Sequence, residues 1–307
     1  MLDQKAEQYL EQLKPSTAIT YRAALQVFAE FYKPHGTIKD FLDRINEDNK
    51  RDYVEKQYVA EKTVKDFVAY LQQKNLSPKT IRCYVAAIQG LAQYFFRSSI
   101  INTRYVNMPP PVTKSRKHPW TLETVTHFIN NFDEPMYKAL ACLLFQSGLS
   151  LREALNLRYG DIAEELEKGI TPLCLDFTTT GRRKTGQPFL TFVGKWTCDQ
   201  LRNYLKWKRI QPEDKLFPVT KEAVDAYFRR QALCFLGQWH GRCPARPHSL
   251  RSAFKTILKD SKAIDEEDVE YFMGHKLGDI EKIYTERSIE QWRAIYAKAE
   301  PFLTPKP

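Results

Sequence analysis

The stretch PHSLRSAF at residues 247–254 places a histidine, His248, and an arginine, Arg251, three residues apart at the start of a predicted helix. Further along, Gly274 and His275 stand together, and Tyr284 follows nine residues after His275. Each feature is weak alone, because a His-x-x-Arg spacing often occurs by chance and a single tyrosine is usually a core or surface residue. Their order along one chain is what carries information.

Two features upstream complete this order. Lys184 stands in the segment RKTG at residues 183–186, between two β-rich runs at 172–178 and 188–193, so it is predicted to lie in a hairpin turn. Before it, residues 148–155 read GLSLREAL and place Arg152 near a helix start. The second half of the chain thus collects positive and proton-transferring side chains.

Length and charge favour a polyanionic partner. A chain of 307 residues is long enough for two domains. It has 47 Lys and Arg against 37 Asp and Glu, for a formal net charge of +10. Residues 97–119, 181–215 and 242–259 carry +5, +6 and +5, so the rest of the chain is net acidic. Such runs can be solvated faces, but their concentration in three segments favours nucleic acid.

Composition also excludes several classes of protein. A hydrophobic content of 43% and a mean hydropathy of −0.51 are typical of a soluble globular protein and argue against membrane spans. The start MLDQKAEQYL lacks the features of a secretory signal, so we expect a reducing, intracellular setting. The candidate cluster Cys234, His240, Cys243 and His248 lacks the paired short spacings of a zinc site. We therefore expect no metal and no cofactor.

Hydrophobic periodicity predicts the domain organisation. Residues 1–101 are predicted to form a bundle of about four helices, with helix starts near Ser16 or Thr17, at 61–63, and at Ser77 before Pro78. Residues 102–119, with three consecutive prolines, are predicted to be an extended basic linker. Residues 120–307 are predicted to be mostly α with a small antiparallel β-sheet. The helices are predicted at 121–130, 136–146, 151–158, 197–209, 220–235, 249–260, 266–273 and 288–299.

Together these features resemble the tyrosine recombinases, the phage integrase superfamily. PHSLRSAF resembles the family's His-x-Leu-Arg box, Gly274-His275 its Gly-His box, and Tyr284 stands where the family has its nucleophile. The helical N-terminal region, with LSPKTI at 76–81, resembles the family's SAM-like core-binding domain, and residues 120–307 its catalytic domain. The hairpin lysine and the stretch GHKL at 274–277 look most like archaeal or archaeal-virus members.

The resemblance implies a role for each site residue. Tyr284 would attack a DNA phosphate and form a 3′-phosphotyrosyl bond, Arg251 would clamp the phosphate, and Lys184 would protonate the leaving 5′ oxygen. His248 and His275 would orient the phosphate and the tyrosine or exchange protons. Because the phosphotyrosyl bond conserves the energy of the broken link, resealing needs neither ATP nor a metal.

The chain departs from the family pattern at the first arginine. The family usually has Gly-Leu-Arg-x-x-Glu, and aligning Glu153 places Ser150 at the arginine position. Arg152 lies two residues further on, which on a helix is nearly the opposite side. It can act as the missing clamp only if the preceding turn is rearranged, and the alternatives are a surface arginine at 152 or a clamp supplied by Arg158, Arg182 or Arg183.

Three functions are compatible with this interpretation. The leading hypothesis is a site-specific recombinase or integrase, cytoplasmic and associated with the nucleoid, that is a monomer when free and a dimer to tetramer on double-stranded DNA. The alternative is a catalytically impaired DNA-binding protein derived from such an enzyme, and a third is an enzyme that relaxes supercoils. The expected DNA contacts are Lys79, Arg82, Arg104, Lys114, Arg116, Lys117, Arg182, Arg183 and Lys255.

The last predicted helix has an apolar face formed by Ile289, Trp292, Ile295, Tyr296 and Ala299. This face can pack onto its own domain, or it can dock onto a neighbouring protomer as the resemblance implies. The sequence leaves both possibilities open.

Overall fold

A computed structural model of the chain describes residues 2–52, 54–97, 101–110, 118–181, 186–275 and 287–305. The chain divides into two compact units, Met1–Arg116 and Lys117–Pro307. The division falls inside the segment 102–119 that the sequence predicts as a linker.

The N-terminal unit is helical, and five α-helices are described where the sequence predicts about four. Its core is built around Phe28, whose ring lies edge-on to Phe67 and to Phe41, with ring centroids 5.1 and 5.0 Å apart. All three rings are fully buried. The helices are α1 (Gln4–Glu11), α2 (Pro15–Tyr32), α3 (Ile38–Asn49), α4 (Val59–Gln73) and α5 (Pro78–Phe96).

Local chemistry sets where these helices begin. The start predicted at Ser77 is confirmed, since the Ser77 hydroxyl accepts a hydrogen bond from the Thr80 N–H at 3.2 Å and Pro78 opens α5. The other two predicted starts are wrong by one to four residues. Helix α2 begins at Pro15, and the long-range acceptor Asp48 holds the backbone N–H of Val59 at 3.0 Å, which fixes an earlier start for α4.

Residues 101–110 pack along this helical unit. Ile101 and Val106 are buried in its core. The Gln89 amide donates to the Ile101 carbonyl at 3.2 Å, and the Arg82 Nε donates to the Pro109 carbonyl at the same distance. The first half of the predicted linker is therefore held against the N-terminal unit, and residues 111–117 lie outside the described residues.

The C-terminal unit combines helices with one antiparallel pair of strands, β1 (Leu173–Asp176) and β2 (Leu190–Val193), in which Leu173 is opposite Val193. This confirms the predicted fold class, mainly α with a small antiparallel β-sheet. All four residues of β2 are buried. The helices are α6 (Leu122–Asn130), α7 (Pro135–Ser147), α8 (Leu151–Ala154), α9 (Ala163–Glu167), α10 (Lys195–Leu205), α11 (Lys221–Phe235), α12 (Pro247–Ser261), α13 (Glu266–Phe272) and α14 (Ile289–Ala299).

Helix α8 is shorter than the predicted helix at 151–158. The Leu216 N–H donates to the Leu157 carbonyl at 2.9 Å, and Arg158 forms a β-bridge with Lys215. These long-range backbone bonds replace the helical ones, so the chain leaves the helix after Ala154. The sequence does not predict helix α9.

The apolar face of α14 packs onto its own unit except at Ile289, which is exposed. Trp292 and Tyr296 are fully buried, and the Trp292 ring stacks on Tyr271 with centroids 4.0 Å apart. The Tyr296 hydroxyl donates to the Gln146 carbonyl at 2.7 Å, which ties α14 to α7. Of the two possibilities that the sequence leaves open, the structure shows packing within the same chain.

None of the helices within the described residues has the length and apolar character needed to cross a membrane.

Candidate active site

Helix α12 carries the first two candidate catalytic residues on its first turns. Pro247 occupies the first helical position, where its fixed backbone angle suits a helix start. The Ser249 hydroxyl accepts a hydrogen bond from the Arg246 N–H at 3.1 Å and so caps the N-terminus of α12. His248 and Arg251, three residues apart, lie on the same side of the helix. His248 is exposed, whereas Arg251 is only 2% exposed.

Arg251 is held by a set of inward-facing acceptors. Its guanidinium donates to the Gly148 carbonyl, to the Met273 carbonyl at 2.8 Å, and lies 3.0 Å from His275 Nε2. The Glu153 carboxylate is 4.0 Å away. Because an arginine stays charged at all ordinary pH values, its burial requires partners of this kind. The arginine is thereby fixed in place before any ligand binds.

Two glycines make this arrangement possible. Gly148 ends α7 and Gly274 follows α13, with φ angles of +65° and +61° that other residues rarely adopt. A Cβ at Gly148 would lie 2.6 Å from the Phe254 ring, and one at Gly274 would lie 2.8 Å from the Phe189 ring. The Gly-His box therefore requires a glycine, because the backbone turns at Gly274, directly before His275 contacts Arg251.

His275 has a carboxylate partner on its other ring nitrogen. Nδ1 is hydrogen-bonded to Glu270 Oε2, and the second oxygen of Glu270 lies 2.5 Å from the Lys255 ammonium and 3.5 Å from that of Lys259. Burial alone would raise the pKa of Glu270, but the hydrogen bonds from Lys255 and His275 outweigh it and lower the pKa to about 2. Glu270 is therefore ionised at neutral pH.

This lowered pKa predicts an acid-sensitive contribution to stability. Because the pKa of Glu270 falls from 4.5 to about 2 on folding, its contribution is complete above pH 4.5 and is lost as the pH falls through about 2. We expect the free energy of unfolding to decline between about pH 5 and about pH 3, and Glu270→Gln to flatten that decline. Urea denaturation at both pH values measures it. Glu266→Gln is the matched control, and parallel declines in wild type and Glu270→Gln would contradict the prediction.

The first arginine box has a different architecture from the family pattern. Ser150 caps α8, since its N–H donates to Glu153 Oε2 at 2.8 Å and its hydroxyl accepts from the Glu153 N–H at 3.4 Å. Glu153 is 8% exposed and faces Arg251, whereas Arg152 is exposed. One residue further along a helix points about 100° away. The turn that would have to be rearranged for Arg152 is thus a regular capped helix start.

The remaining predicted site residues divide into described and undescribed ones. Lys79 and Arg82 lie three residues apart at the start of α5 and are exposed, as is Arg104. Lys255 is in the C-terminal unit and is paired with Glu270. Seven predicted residues lie outside the described residues: Lys114, Arg116, Lys117, Arg182, Arg183, Lys184 and Tyr284.

Possible metal ligands do not cluster in the described part of the chain, where no group of three or more His, Cys, Asp and Glu side chains could hold a metal ion. In the candidate zinc cluster at residues 234–248, Cys234 is exposed, and the Cys243 thiol donates a hydrogen bond to the Ala245 carbonyl at 3.2 Å.

Comparison with known proteins identifies the family of the chain. The model of the phage integrase family matches residues 120–291. The chain is 27% identical over 256 residues to the tyrosine recombinase XerC of Natranaerobius thermophilus, covering 79% of this chain and 83% of the relative. It is 24% identical over 250 residues to the tyrosine recombinase XerA of Pyrococcus horikoshii, covering 78% and 81%.

Solved structures share the fold. A lambda integrase (residues 75–356) dimer bound to a core site superposes with a TM-score of 0.60 at 14% identity, over 94% of this chain and 96% of that one. The recombinase XerH bound to its difH substrate gives a TM-score of 0.58 at 17% identity, over 90% and 78%.

The family match and these relatives identify a tyrosine-type site-specific recombinase. The chain belongs to the phage integrase family, whose model matches more than half of its length.

Proposed function

We propose that this protein is a site-specific DNA recombinase or integrase that cuts and rejoins strands through a covalent 3′-phosphotyrosyl intermediate at Tyr284. The observation that carries the proposal is the buried Arg251, which is held against His275 at 3.0 Å between two backbone carbonyls. A cation fixed in this way can stabilise charge that develops on a phosphate without reorganising during the reaction.

The proposed chemistry assigns one task to each residue. The Tyr284 oxygen forms a bond to phosphorus, the bond from phosphorus to the 5′ oxygen breaks, and Lys184 gives that oxygen a proton. The phenolic proton goes to one of the two imidazoles, His248 or His275. Attack by a 5′ hydroxyl on the phosphotyrosyl bond reverses these steps and reseals a strand, so neither a metal nor ATP is consumed.

The position of Tyr284 in the chain supports its assignment. It lies nine residues after His275 and three residues before Arg287. Arg287 donates to the buried Asp268 carboxylate at 2.7 Å, and its guanidinium lies 4.7 Å from the centre of the Trp292 ring. His275 and Arg287, the described residues on either side of Tyr284, are thus both held by contacts within the C-terminal unit.

DNA binding should depend strongly on salt. The predicted phosphate contacts number nine, and six to ten such contacts lower affinity by roughly 10³–10⁵ between about 50 and 200 mM salt. We expect Lys79→Ala and Arg82→Ala each to reduce the slope of log K against log salt by about one. Fluorescence anisotropy with duplex DNA measures this slope.

A surface lysine with a local partner provides the control for this experiment. Lys168 is paired with Glu164 at 2.5 Å on the surface of the other unit, so Lys168→Ala should leave the slope unchanged. Equal slopes for wild type, Lys79→Ala and Arg82→Ala would exclude the start of α5 from the DNA interface.

On this proposal the protein acts inside the cell on the nucleoid, is a monomer when free, and assembles as a dimer to tetramer on its DNA sites. The domain assignment that goes with it is a core-binding domain at 1–101, a linker at 102–119 and a catalytic domain at 120–307. Sedimentation of the protein with and without a duplex site tests the change in assembly.

Ser150 at the family's arginine position favours a second candidate, a DNA-binding protein with impaired cleavage. A plasmid that carries two copies of the DNA flanking the encoding gene separates the candidates. Incubated with the protein and EDTA but no ATP, it should yield recombinant circles. Relaxed plasmid without recombinants would identify supercoil relaxation, and bound but unchanged plasmid would identify the binding protein.

A further inference from the structure

We propose that Glu270 is a positioning residue that orients His275 and fixes which ring nitrogen carries the proton. The inference rests on the proposed function, because His275 is assigned to the phosphate site there. Glu270 itself is not expected to touch DNA, since both of its oxygens are already engaged by side chains of its own unit.

The hydrogen-bond chemistry determines the tautomer of His275. An arginine guanidinium only donates hydrogen bonds, so His275 Nε2, which lies 3.0 Å from Arg251 Nη2, must accept with its lone pair. The proton of the neutral ring is then on Nδ1, where Glu270 Oε2 accepts it. Arg251 and Glu270 therefore hold the two nitrogens in opposite roles.

Glu270 belongs to a chain of side-chain contacts that begins and ends on α12. Lys255 stands one helical turn after Arg251 on α12, and it bonds the Glu270 oxygen that His275 does not use. The path Arg251, His275, Glu270, Lys255 thus starts and ends on α12. Lys259 lies 3.5 Å from the same oxygen of Glu270, and Glu153 is the acid that faces Arg251.

The contacts that Arg251 and Glu270 make with His275 affect the proposed reaction. While no phosphate is bound, Nε2 of the neutral His275 ring faces Arg251 as an acceptor. Proton uptake at Nε2 breaks its hydrogen bond with Arg251 and makes Nε2 a donor to a phosphate oxygen, while the ionised Glu270 stabilises the imidazolium. Without Glu270 the ring can turn, or place an N–H against the donors of Arg251, and the geometry for phosphate is lost.

Glu270→Ala and Glu270→Gln test the role, with Glu266→Gln as the matched control. Glu266 is on the same helix and pairs with Lys259 at 2.6 Å, so the control removes an equal charge from a neighbouring ion pair. We expect Glu270→Ala to cleave a suicide DNA substrate about 10²-fold more slowly, the loss typical of a misplaced catalytic group, with no loss of DNA affinity, because Lys255 keeps its charge. Glu266→Gln should cleave like wild type.

The pH profile and the ring protons separate positioning from a structural role. Glu270→Gln keeps an acceptor for Nδ1–H but lacks the charge, so the limb of its pH–rate profile that reports His275 should shift to lower pH. Long-range ¹H–¹⁵N spectra of the histidine side chains, assigned with His275→Gln, should show the Nδ1–H form in wild type and a tautomer mixture in Glu270→Ala.

Wild-type cleavage rates in Glu270→Ala, or an unchanged His275 tautomer, would overturn the inference. An absence of cleavage by the wild-type protein would instead count against the proposed function, and the spectra would still decide what Glu270 does. If Glu270→Ala fails to fold, the pH–rate profile of Glu270→Gln decides, and a profile identical to that of wild type would overturn the inference.

Discussion

Tyr284→Phe should abolish covalent attachment of the protein to DNA while leaving DNA affinity within about twofold. The substitution removes only the phenolic oxygen that would attack phosphorus, and loss of a nucleophile typically slows a reaction by about 10⁴-fold or more, on the order of the whole chemical contribution. The aromatic ring and the proposed phosphate-binding residues are retained. Denaturing gels of a suicide substrate measure attachment, and anisotropy measures affinity.

Tyr159→Phe is the matched control for this prediction. Tyr159 is in the same unit, and its hydroxyl donates to Glu167 at 2.7 Å, so its loss should leave attachment at the wild-type level. Covalent attachment that persists in Tyr284→Phe would refute the assignment of the nucleophile.

Arg251 is the residue whose replacement should damage both stability and chemistry. Arg251→Ala leaves the Gly148 and Met273 carbonyls without their donor inside the protein, and it removes the cation that faces Glu153. Disrupting a buried charged group of this kind costs about 3–5 kcal/mol of unfolding free energy. Cleavage should become undetectable, because the folded population and the phosphate clamp are lost together.

Arg251→Lys separates the two effects. Lysine keeps the charge but cannot bond two carbonyls and a phosphate with the fixed geometry of a guanidinium, so cleavage should fall by about 10²–10³-fold. Stability should fall less than in Arg251→Ala. Urea denaturation and single-turnover cleavage measure the two quantities.

Arg152→Ala is the control for stability and a test of the first arginine box. Arg152 is exposed, and substitution of such a residue usually changes stability by no more than about 0.5 kcal/mol. If Arg152→Ala loses cleavage but keeps full stability, Arg152 is the residue that clamps the phosphate. Cleavage by Arg251→Lys at the wild-type rate would show that Arg251 has only a structural role.

The parts of the fold that the sequence could predict are the ones encoded locally. The apolar stripes of α2, α4 and α5 and the cap at Ser77 depend on residues within one or two turns of each other, so periodicity and capping chemistry suffice. The start of α4 was missed because its acceptor, Asp48, is on the preceding helix. The end of α8 was missed because Leu216, far along the chain, takes the Leu157 carbonyl.

The candidate site shows the same division. Arg251 and His275 could be named from their motifs, but the carbonyls that hold Arg251 come from Gly148 and Met273, which are 103 and 22 residues away. No spacing rule links such positions. Glu270 had a local signal, an acid five residues before the box histidine, and this signal gained meaning only from its contact with His275.

The departure at Ser150 also has a physical explanation that the family pattern does not supply. A serine at this position caps α8 and pairs with Glu153, and substitution of such a cap typically costs about 1 kcal/mol. The same carboxylate lies 4.0 Å from Arg251. Ser150, at the position of the usual arginine, thus helps to fix Glu153, the acid that faces the buried Arg251.

Mapping the bond between protein and DNA tests the covalent mechanism at Tyr284. Wild-type protein is incubated with a suicide substrate in EDTA, the adduct is digested with trypsin and nuclease, and the peptides are sequenced by mass spectrometry. The proposed mechanism predicts a nucleotide joined through its 3′ phosphate to Tyr284, within the tryptic peptide IYTER at residues 283–287. An adduct on any other residue, or strand cleavage without an adduct, would contradict it.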